Sequence, residues 1–218
     1  MEILKDKKFI ICDVDGTIFD RMPYYTNVFA EICAQNGVPK DLARDIYIAT
    51  AGDVIFLQFE KAFEKAGVSR SAEVIQECGH AFWTEVKEAP VVLFPGARET
   101  LETLREKGLL LFASSGSTTK ELIAAFKKHN LPPFELILGS EELPKGSEHI
   151  HAFAQKVNLP IQKFAELAIF VGDGPSDMRL AKQFGILGIG VTTTTTAEML
   201  SNAGATDTIS LLSELRVG

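Results

Sequence analysis

The stretch Phe9-Ile10-Ile11-Cys12-Asp13-Val14-Asp15-Gly16-Thr17 decides how the chain is read. An apolar run ends in two carboxylates one residue apart, and a glycine and a threonine follow at once. A short apolar run bounded by a turn signal reads as a buried strand. Acids at the carboxyl end of a buried strand sit where open α/β sheets place their chemistry. One intervening residue lets Asp13 and Asp15 aim at a common region, and Gly16 permits a sharp turn. Cys12 is expected to point away from Asp13 into the core, since neighbours on a strand face opposite sides.

Ile18 to Arg21 is a short connector. From about Pro23 to Ala89 the apolar spacing is helical throughout. Tyr25, Val28, Phe29, Ile32 and Cys33 form a first stripe that stops at Gly37. Leu42, Ala43, Ile46 and Ala49 form a second, and Ile55, Phe59, Ala62, Phe63 and Ala66 a third, stopped by Gly67. Ile75, Cys78, Phe82 and Val86 make the last. Such stripes predict roughly four antiparallel helices in a small bundle, with the aromatic residues as its core rather than a ligand box.

Beyond residue 90 strands and helices alternate. Leu109–Ala113 is a predicted strand ending in Ser114-Ser115-Gly116, and Thr118 with Glu121 has capping-box spacing. Leu136–Gly139, Ala168–Val171 and Leu187–Val191 are further strands. Helices are predicted from Pro95-Gly96 to Gly108, over His149–Val157, and from Pro175 to Gly185; Thr195 and Glu198 again have capping-box spacing. Near-continuous apolar strands separated by helices predict a parallel, Rossmann-like α/β sheet with helices on both faces. The all-helical block interrupts it. The expected layout is a core of residues 1–20 and 91–218 with an inserted helical cap at 21–90.

The chain has 218 residues and a formal net charge of -7, which argues against nucleic acid or an anionic membrane as partner. If the substrate is itself an anion, that charge calls for a local cation. Cys12, Cys33 and Cys78 form no CxxC pair, which fits free thiols in a reducing cytoplasm. The apolar run behind the charged N-terminus is too short for a signal peptide or a membrane span. His149 and His151 stand at i, i+2, face different directions on a helix, and are expected at the surface rather than as a metal pair.

Four motifs then fall in order: DVDGT at 13–17, a strand-end serine, Lys145 after the third core strand, and Gly172-Asp173-Gly174-Pro175-Ser176-Asp177. Together they resemble the haloacid dehalogenase-like phosphohydrolases with a helical C1-type cap, in the phosphoglycolate phosphatase and β-phosphoglucomutase-like branch. The resemblance covers nearly the whole chain. It implies that Asp13 is a nucleophile forming an aspartyl-phosphate and that Asp15 is the general acid/base. It implies Mg²⁺ held by Asp13, the backbone carbonyl of Asp15, Asp173 and Asp177. A phosphate would be held by Ser115, Lys145, Gly116 and backbone N–H groups near Val14 to Gly16.

The expected crowding of Asp13, Asp15, Asp173 and Asp177 at one sheet edge independently calls for a cation. The serine register is open between Ser114 and Ser115, with Ser115 favoured. Gly116 and Gly146 stand where many relatives carry Asn and Pro. The loop Thr50-Ala51-Gly52-Asp53 lies where such caps reach into the site, and its other reading is a plain turn.

The resemblance implies a phosphatase of small phosphorylated metabolites, phosphoglycolate-like or sugar phosphates, acting as a monomer or homodimer. A phosphomutase would use the same motifs. Dehalogenase chemistry is disfavoured because that branch lacks the acid present here as Asp15. A non-catalytic relative is disfavoured because Asp13, Asp15 and Asp173 are all retained. The threonine run at 192–196 receives no functional account from the sequence.

Overall fold

The computed structural model describes residues 6–141 and 143–215. Strand β1 (Phe9–Asp13) is buried along its whole length. Helices α1 (Met22–Gln35), α2 (Lys40–Ala49), α3 (Ile55–Lys65) and α4 (Ala72–Glu85) follow without a strand between them, closed by a 3₁₀ turn at Val86–Glu88. Then come α5 (Ala97–Glu106), β2 (Leu110–Ser114), α6 (Thr119–Lys128), β3 (Leu136–Leu138), α7 (Ser147–Lys156) and α8 (Ile161–Leu167). The chain continues through β4 (Ala168–Gly172), α9 (Pro175–Phe184), β5 (Leu187–Val191), α10 (Ala197–Ala203) and β6 (Asp207–Ile209).

All the strand pairs are parallel, in the order β3-β2-β1-β4-β5-β6. β1 is central: Asp13 lies opposite Ser114 of β2, and Cys12 opposite Val171 of β4. The order reverses between β1 and β4, and that crevice is where α/β sheets bind ligands.

Strand alternation divides the core. Ile10, Cys12 and Val14 pack on α5 and α6 through Leu101, Leu122 and Phe126. Phe9, Ile11, Phe112 and Phe170 pack on the other face against α7 to α10, through Phe153, Phe164, Met178 and Leu200. The expected two-faced sheet is therefore present, with Cys12 fully buried in it. The buried residues of α1 to α4 form a separate cluster around Phe29 and Phe59, whose rings stack at 4.4 Å. An isolated antiparallel bridge joins Phe19 and Leu93, where the chain leaves and re-enters the sheet layer.

Local chemistry explains several boundaries. Thr118 and Glu121 make the reciprocal capping box at α6. Pro175 opens α9 and Gly185 closes it in the left-handed conformation. Three elements differ from the sequence reading. The cap of α10 is Thr196, one residue later than the Thr195 spacing suggested, with its side chain accepting from Met199 N–H. Helix α8 and strand β6 were not anticipated, because seven and three residues carry too little periodicity to register.

Phe112 meets the rings of Phe9, Phe153 and Phe164 at 6.1, 5.0 and 5.8 Å. Phe112→Ala is expected to cost about 3–5 kcal/mol. Urea unfolding should show this as a lower midpoint at unchanged slope.

Candidate active site

Four chain segments deliver side chains to one edge of the sheet. β1 ends at Asp13, and the loop after it carries Asp15. β2 runs into Ser115, Gly116 and Ser117. The loop after β3 carries Lys145, and β4 ends just before Asp173, four residues ahead of Asp177 in the first turn of α9. Carboxylate oxygens of Asp13, Asp173 and Asp177 lie within 4.8 Å of one another, and all three residues are buried.

A single ammonium group lies among them. Lys145 Nζ is 2.6 Å from Asp13 Oδ1 and 2.9 Å from Asp177 Oδ1. Asp177 Oδ2 accepts from the Gly174 N–H at 3.2 Å. Asp173 Oδ2 is buried without a hydrogen-bond partner among the described residues. Gly16 makes room for it: at φ +94° the turn needs glycine, and a Cβ there would lie 2.0 Å from Asp173 Oδ2.

The electrostatics follow from that geometry. Burial pushes the Asp13 carboxyl well above its usual range; Lys145 opposes this, and Asp177 and Asp173 reinforce it. Burial, then Asp177, pushes Asp173 up to about 6. Burial alone would pull the Lys145 ammonium down, but Asp13 and Asp177 outweigh it and raise it. Three acids against one lysine leave an excess of negative charge in a buried site. The donor set, with an orphaned Asp173 oxygen, fits a hard divalent cation.

Asp15 is not part of this cluster, so the expected crowding of four acids becomes three. Its Oδ1 accepts from Arg21 Nε at 2.6 Å, and its Oδ2 accepts from Ser115 and Ser117 Oγ at 3.1 and 3.0 Å. Asp15 still lines the same cavity as Asp13, Lys145 and Asp173, which encloses about 500 Å³. Of the backbone donors expected near Val14 to Gly16, the Gly16 N–H is already bonded to the Phe19 carbonyl at 2.8 Å.

The two candidate serines face different ways. Ser115 and Gly116 line the cavity. Ser114 faces away, its Oγ 2.8 Å from His149 Nδ1. His149 corrects the surface assignment: it is fully buried, and Nε2 is 2.9 and 3.2 Å from the Leu143 and Gly139 carbonyls. Two acceptors at Nε2 assign the proton there, so Nδ1 accepts from Ser114. The imidazole thus ties β2 to the loop bearing Lys145. His151 is exposed, as expected.

The loop between α2 and α3 docks on the first turn of α9. Ser176 Oγ donates to the Ala51 carbonyl at 3.0 Å, and Asp53 pairs with Arg179 at 2.8 Å and Lys61 at 2.7 Å. At Gly52, φ is +84° and a Cβ would lie 1.9 Å from Ser176 Oγ, so this close approach needs glycine. Gly52 and Asp53 line the cavity. Thr50 is not brought to it: its hydroxyl donates back to the Ile46 carbonyl.

The family description "Haloacid dehalogenase-like hydrolase" matches residues 10–191. The chain belongs to the haloacid dehalogenase-like hydrolases. A phosphoglycolate phosphatase of Pasteurella multocida is 28% identical over 201 residues, covering 85% of each chain. A haloacid dehalogenase-like hydrolase structure from Bacteroides fragilis superposes with a TM-score of 0.78 at 19% identity, covering 96% of this chain and 100% of that one. A β-phosphoglucomutase-like structure from Bacteroides vulgatus gives 0.74 at 21% identity, covering 95% and 85%. At such identities the two structures speak to the fold alone.

Several residues of this hydrolase were missed by the sequence reading. Arg21 looked like connector. His149 shares the α7 stripe of Ile150, Phe153 and Ala154, and that spacing was the available signal. The aromatic residues of the helical block divide: Phe29, Phe59 and Phe63 are core, whereas Phe56 and Trp83 line the cavity together with Tyr25, Tyr47 and Phe82. The threonine run acquires a structural role. Thr193 donates to the Gly16 carbonyl, and Thr195 to the Asp173 carbonyl at 2.7 Å, holding two of the motif loops.

His149→Leu leaves Ser114 and two carbonyls without their partner. It is expected to cost about 1–3 kcal/mol at pH 7.5. Burial lowers the imidazole from its ordinary 6.5, so its contribution is present above that value and fades as the pH falls below it. The gap in unfolding free energy between wild type and variant should therefore narrow from pH 7.5 to pH 5.

Proposed function

We propose that this chain is a Mg²⁺-dependent phosphatase of small phosphorylated metabolites that works through an aspartyl-phosphate on Asp13. That it is a phosphoric monoester hydrolase rests on its family and on its phosphatase relatives. The observation that carries the finer reading is the Asp13–Lys145–Asp177 clamp beside the orphaned oxygen of Asp173, opening on a cavity that also receives Asp15.

In the first step an Asp13 carboxylate oxygen attacks phosphorus and the bond to the ester oxygen breaks. Lys145 holds Asp13 Oδ1, which orients the carboxylate. Asp15 gives its proton to the departing oxygen. In the second step Asp15 takes a proton from water as that water attacks phosphorus. The bond to Asp13 then breaks and inorganic phosphate leaves. Lys145 and Ser115 hold the non-bridging oxygens as charge builds on them. Arg21 fixes the direction of the Asp15 carboxylate.

Asp13, Asp173 and Asp177, with the Asp15 carbonyl, would hold Mg²⁺. The bound ion would neutralise their charge and that of the phosphoryl group. The helical block at residues 21–90 acts as a cap that excludes water and reads the leaving group. A phosphomutase would also have to seat a second phosphate. Among the described residues lining the cavity, Lys87 is the one cation besides Lys145, so hydrolysis is the better reading. The buried free cysteines suit the cytoplasm. No helix of the described residues is long and apolar enough to cross a membrane.

Mg²⁺ is expected to stabilise the fold by about 2.7 kcal/mol at a hundredfold excess over its dissociation constant. Without metal, the raised Asp173 carboxyl contributes stability at low pH that is lost as the pH rises through about 6. The Mg²⁺ increment should therefore be larger at pH 7.5 than at pH 5, and absent in Asp173→Asn. Thermal melts with Mg²⁺ and with chelator measure this, with hydrolysis of a phosphate ester assayed alongside. A melting temperature indifferent to Mg²⁺, with full turnover in chelator, contradicts the proposal.

A further inference from the structure

The walls of the cavity differ in character from its floor. The floor is the charged cluster of Asp13, Asp173, Asp177 and Lys145. Above it the helical block presents Trp83, Phe56, Val54 and Tyr47, with Phe82 and Tyr25 behind them. The Phe82 ring meets Tyr25, Tyr47 and Trp83 at 5.8, 5.9 and 5.2 Å, so this wall is one packed aromatic unit. Trp83 reaches the phosphate end: a Cβ on Gly116, the neighbour of Ser115, would lie 3.4 Å from the indole ring. Gly79 leaves space for Phe56, since a Cβ there would lie 2.1 Å from that ring. Half of the Val54 surface is exposed at this wall.

The polar groups on the walls are mostly occupied. Asp53 is paired with Lys61 and Arg179, Glu121 with its own helix cap, and Glu141 with the Thr119 N–H. The wall cation, Lys87, is an exposed side chain in the 3₁₀ turn. One wall group is buried and unsatisfied. Gln58 is 4% exposed, its Nε2 donates to the Asp53 carbonyl at 2.8 Å, and its Oε1 has no partner among the described residues.

A carboxylate-bearing leaving group such as glycolate would lie among acids and aromatic rings, which is costly for a charge unless it reaches Lys87, the solvent-exposed cation at the cavity's wall. It would also be small for a cavity of about 500 Å³, within the roughly 300–1,000 Å³ of sites that bury drug-sized ligands.

We infer that the preferred substrate is the phosphate monoester of an uncharged, ring-bearing alcohol that carries an N–H or O–H donor. The ring lies on the Trp83–Phe56–Tyr47 wall and the donor reaches Gln58 Oε1. This rests on the phosphatase reading and narrows it.

The test uses four esters whose leaving oxygen is a primary alkyl alcohol: ethyl phosphate, phosphoglycolate, 2-phenylethyl phosphate and 2-(4-hydroxyphenyl)ethyl phosphate. With Mg²⁺, kcat/KM for the phenylethyl ester should exceed that for ethyl phosphate and phosphoglycolate by about 10- to 100-fold. The ring hydroxyl should add roughly two- to tenfold. Trp83→Ala should remove most of the gain from the ring, and Gln58→Leu the gain from the hydroxyl. Trp83 is the single tryptophan of the chain, so its fluorescence reads binding of 2-phenylethylphosphonate directly. Hydrolysis of ethyl phosphate with no advantage for the ring, or a preference for phosphoglycolate, overturns the inference and leaves the phosphatase reading standing. Turnover of none of the four, with the phosphonate still changing Trp83 fluorescence, supports the apolar seat and overturns the phosphatase reading.

Discussion

The Lys145 ammonium lies between Asp13 and Asp177, 2.6 and 2.9 Å from their oxygens, in a site where Asp173 is buried as well. Removing one partner of such a group would leave an uncompensated buried charge, which is strongly destabilising. The sheet order answers this constraint. The adjacency of β1 and β4 at the switch point brings Asp13 and Asp173 side by side. The loop after β3 must then cross back over the end of β2 to deliver Lys145. His149 anchors that crossing, bonding Ser114 on one side and the carbonyls of Gly139 and Leu143 on the other. Even the charge balance is left open in a useful direction, since one lysine does not neutralise three acids and a divalent ion would.

The same edge fixes the helical block. Ala51 and Gly52 pack so closely on Gly174 and Ser176 that a Cβ at either glycine would collide. Asp53 adds an ion pair to Arg179 of α9, although an exposed pair of this kind contributes little stability by itself. The block therefore rests on the turn that carries Asp177. Its aromatic wall faces the floor where phosphorus would sit. The block thus supplies the aromatic wall of the cavity, and the sheet edge its charged floor.

Much of this was legible in the sequence, for a physical reason. Buried parallel strands must be apolar, and their ends must turn, so acids and glycines at those ends stand out. Asp13, Asp15, Lys145, Asp173 and Asp177 all fall at such points. The residues that escaped are those whose roles depend on pairing across the fold. Arg21 became visible only when Asp15 turned toward it. His149 read as solvated because a polar residue on a helix usually is, and only the Ser114 hydroxyl and two carbonyls make its burial tolerable. Trp83 belongs to a helix whose periodicity reports burial without saying whether a neighbouring side chain or a ligand does the burying. Thr196 displaced Thr195 as the helix cap because Thr195 is bonded to the Asp173 carbonyl, a contact 22 residues away in the chain.

The central claim is that Asp13, held by Lys145, becomes covalently phosphorylated. The most direct measurement is acid quench during turnover, followed by mass spectrometry of the peptide that contains Asp13. In Asp15→Asn, where no base activates the water of the second step, phosphate should accumulate on Asp13 with a phosphate ester of a good leaving group. Wild-type turnover with no phosphate on that peptide in either protein, and inversion rather than retention of configuration at phosphorus, would show that water attacks the substrate directly and that Asp13 is not the nucleophile.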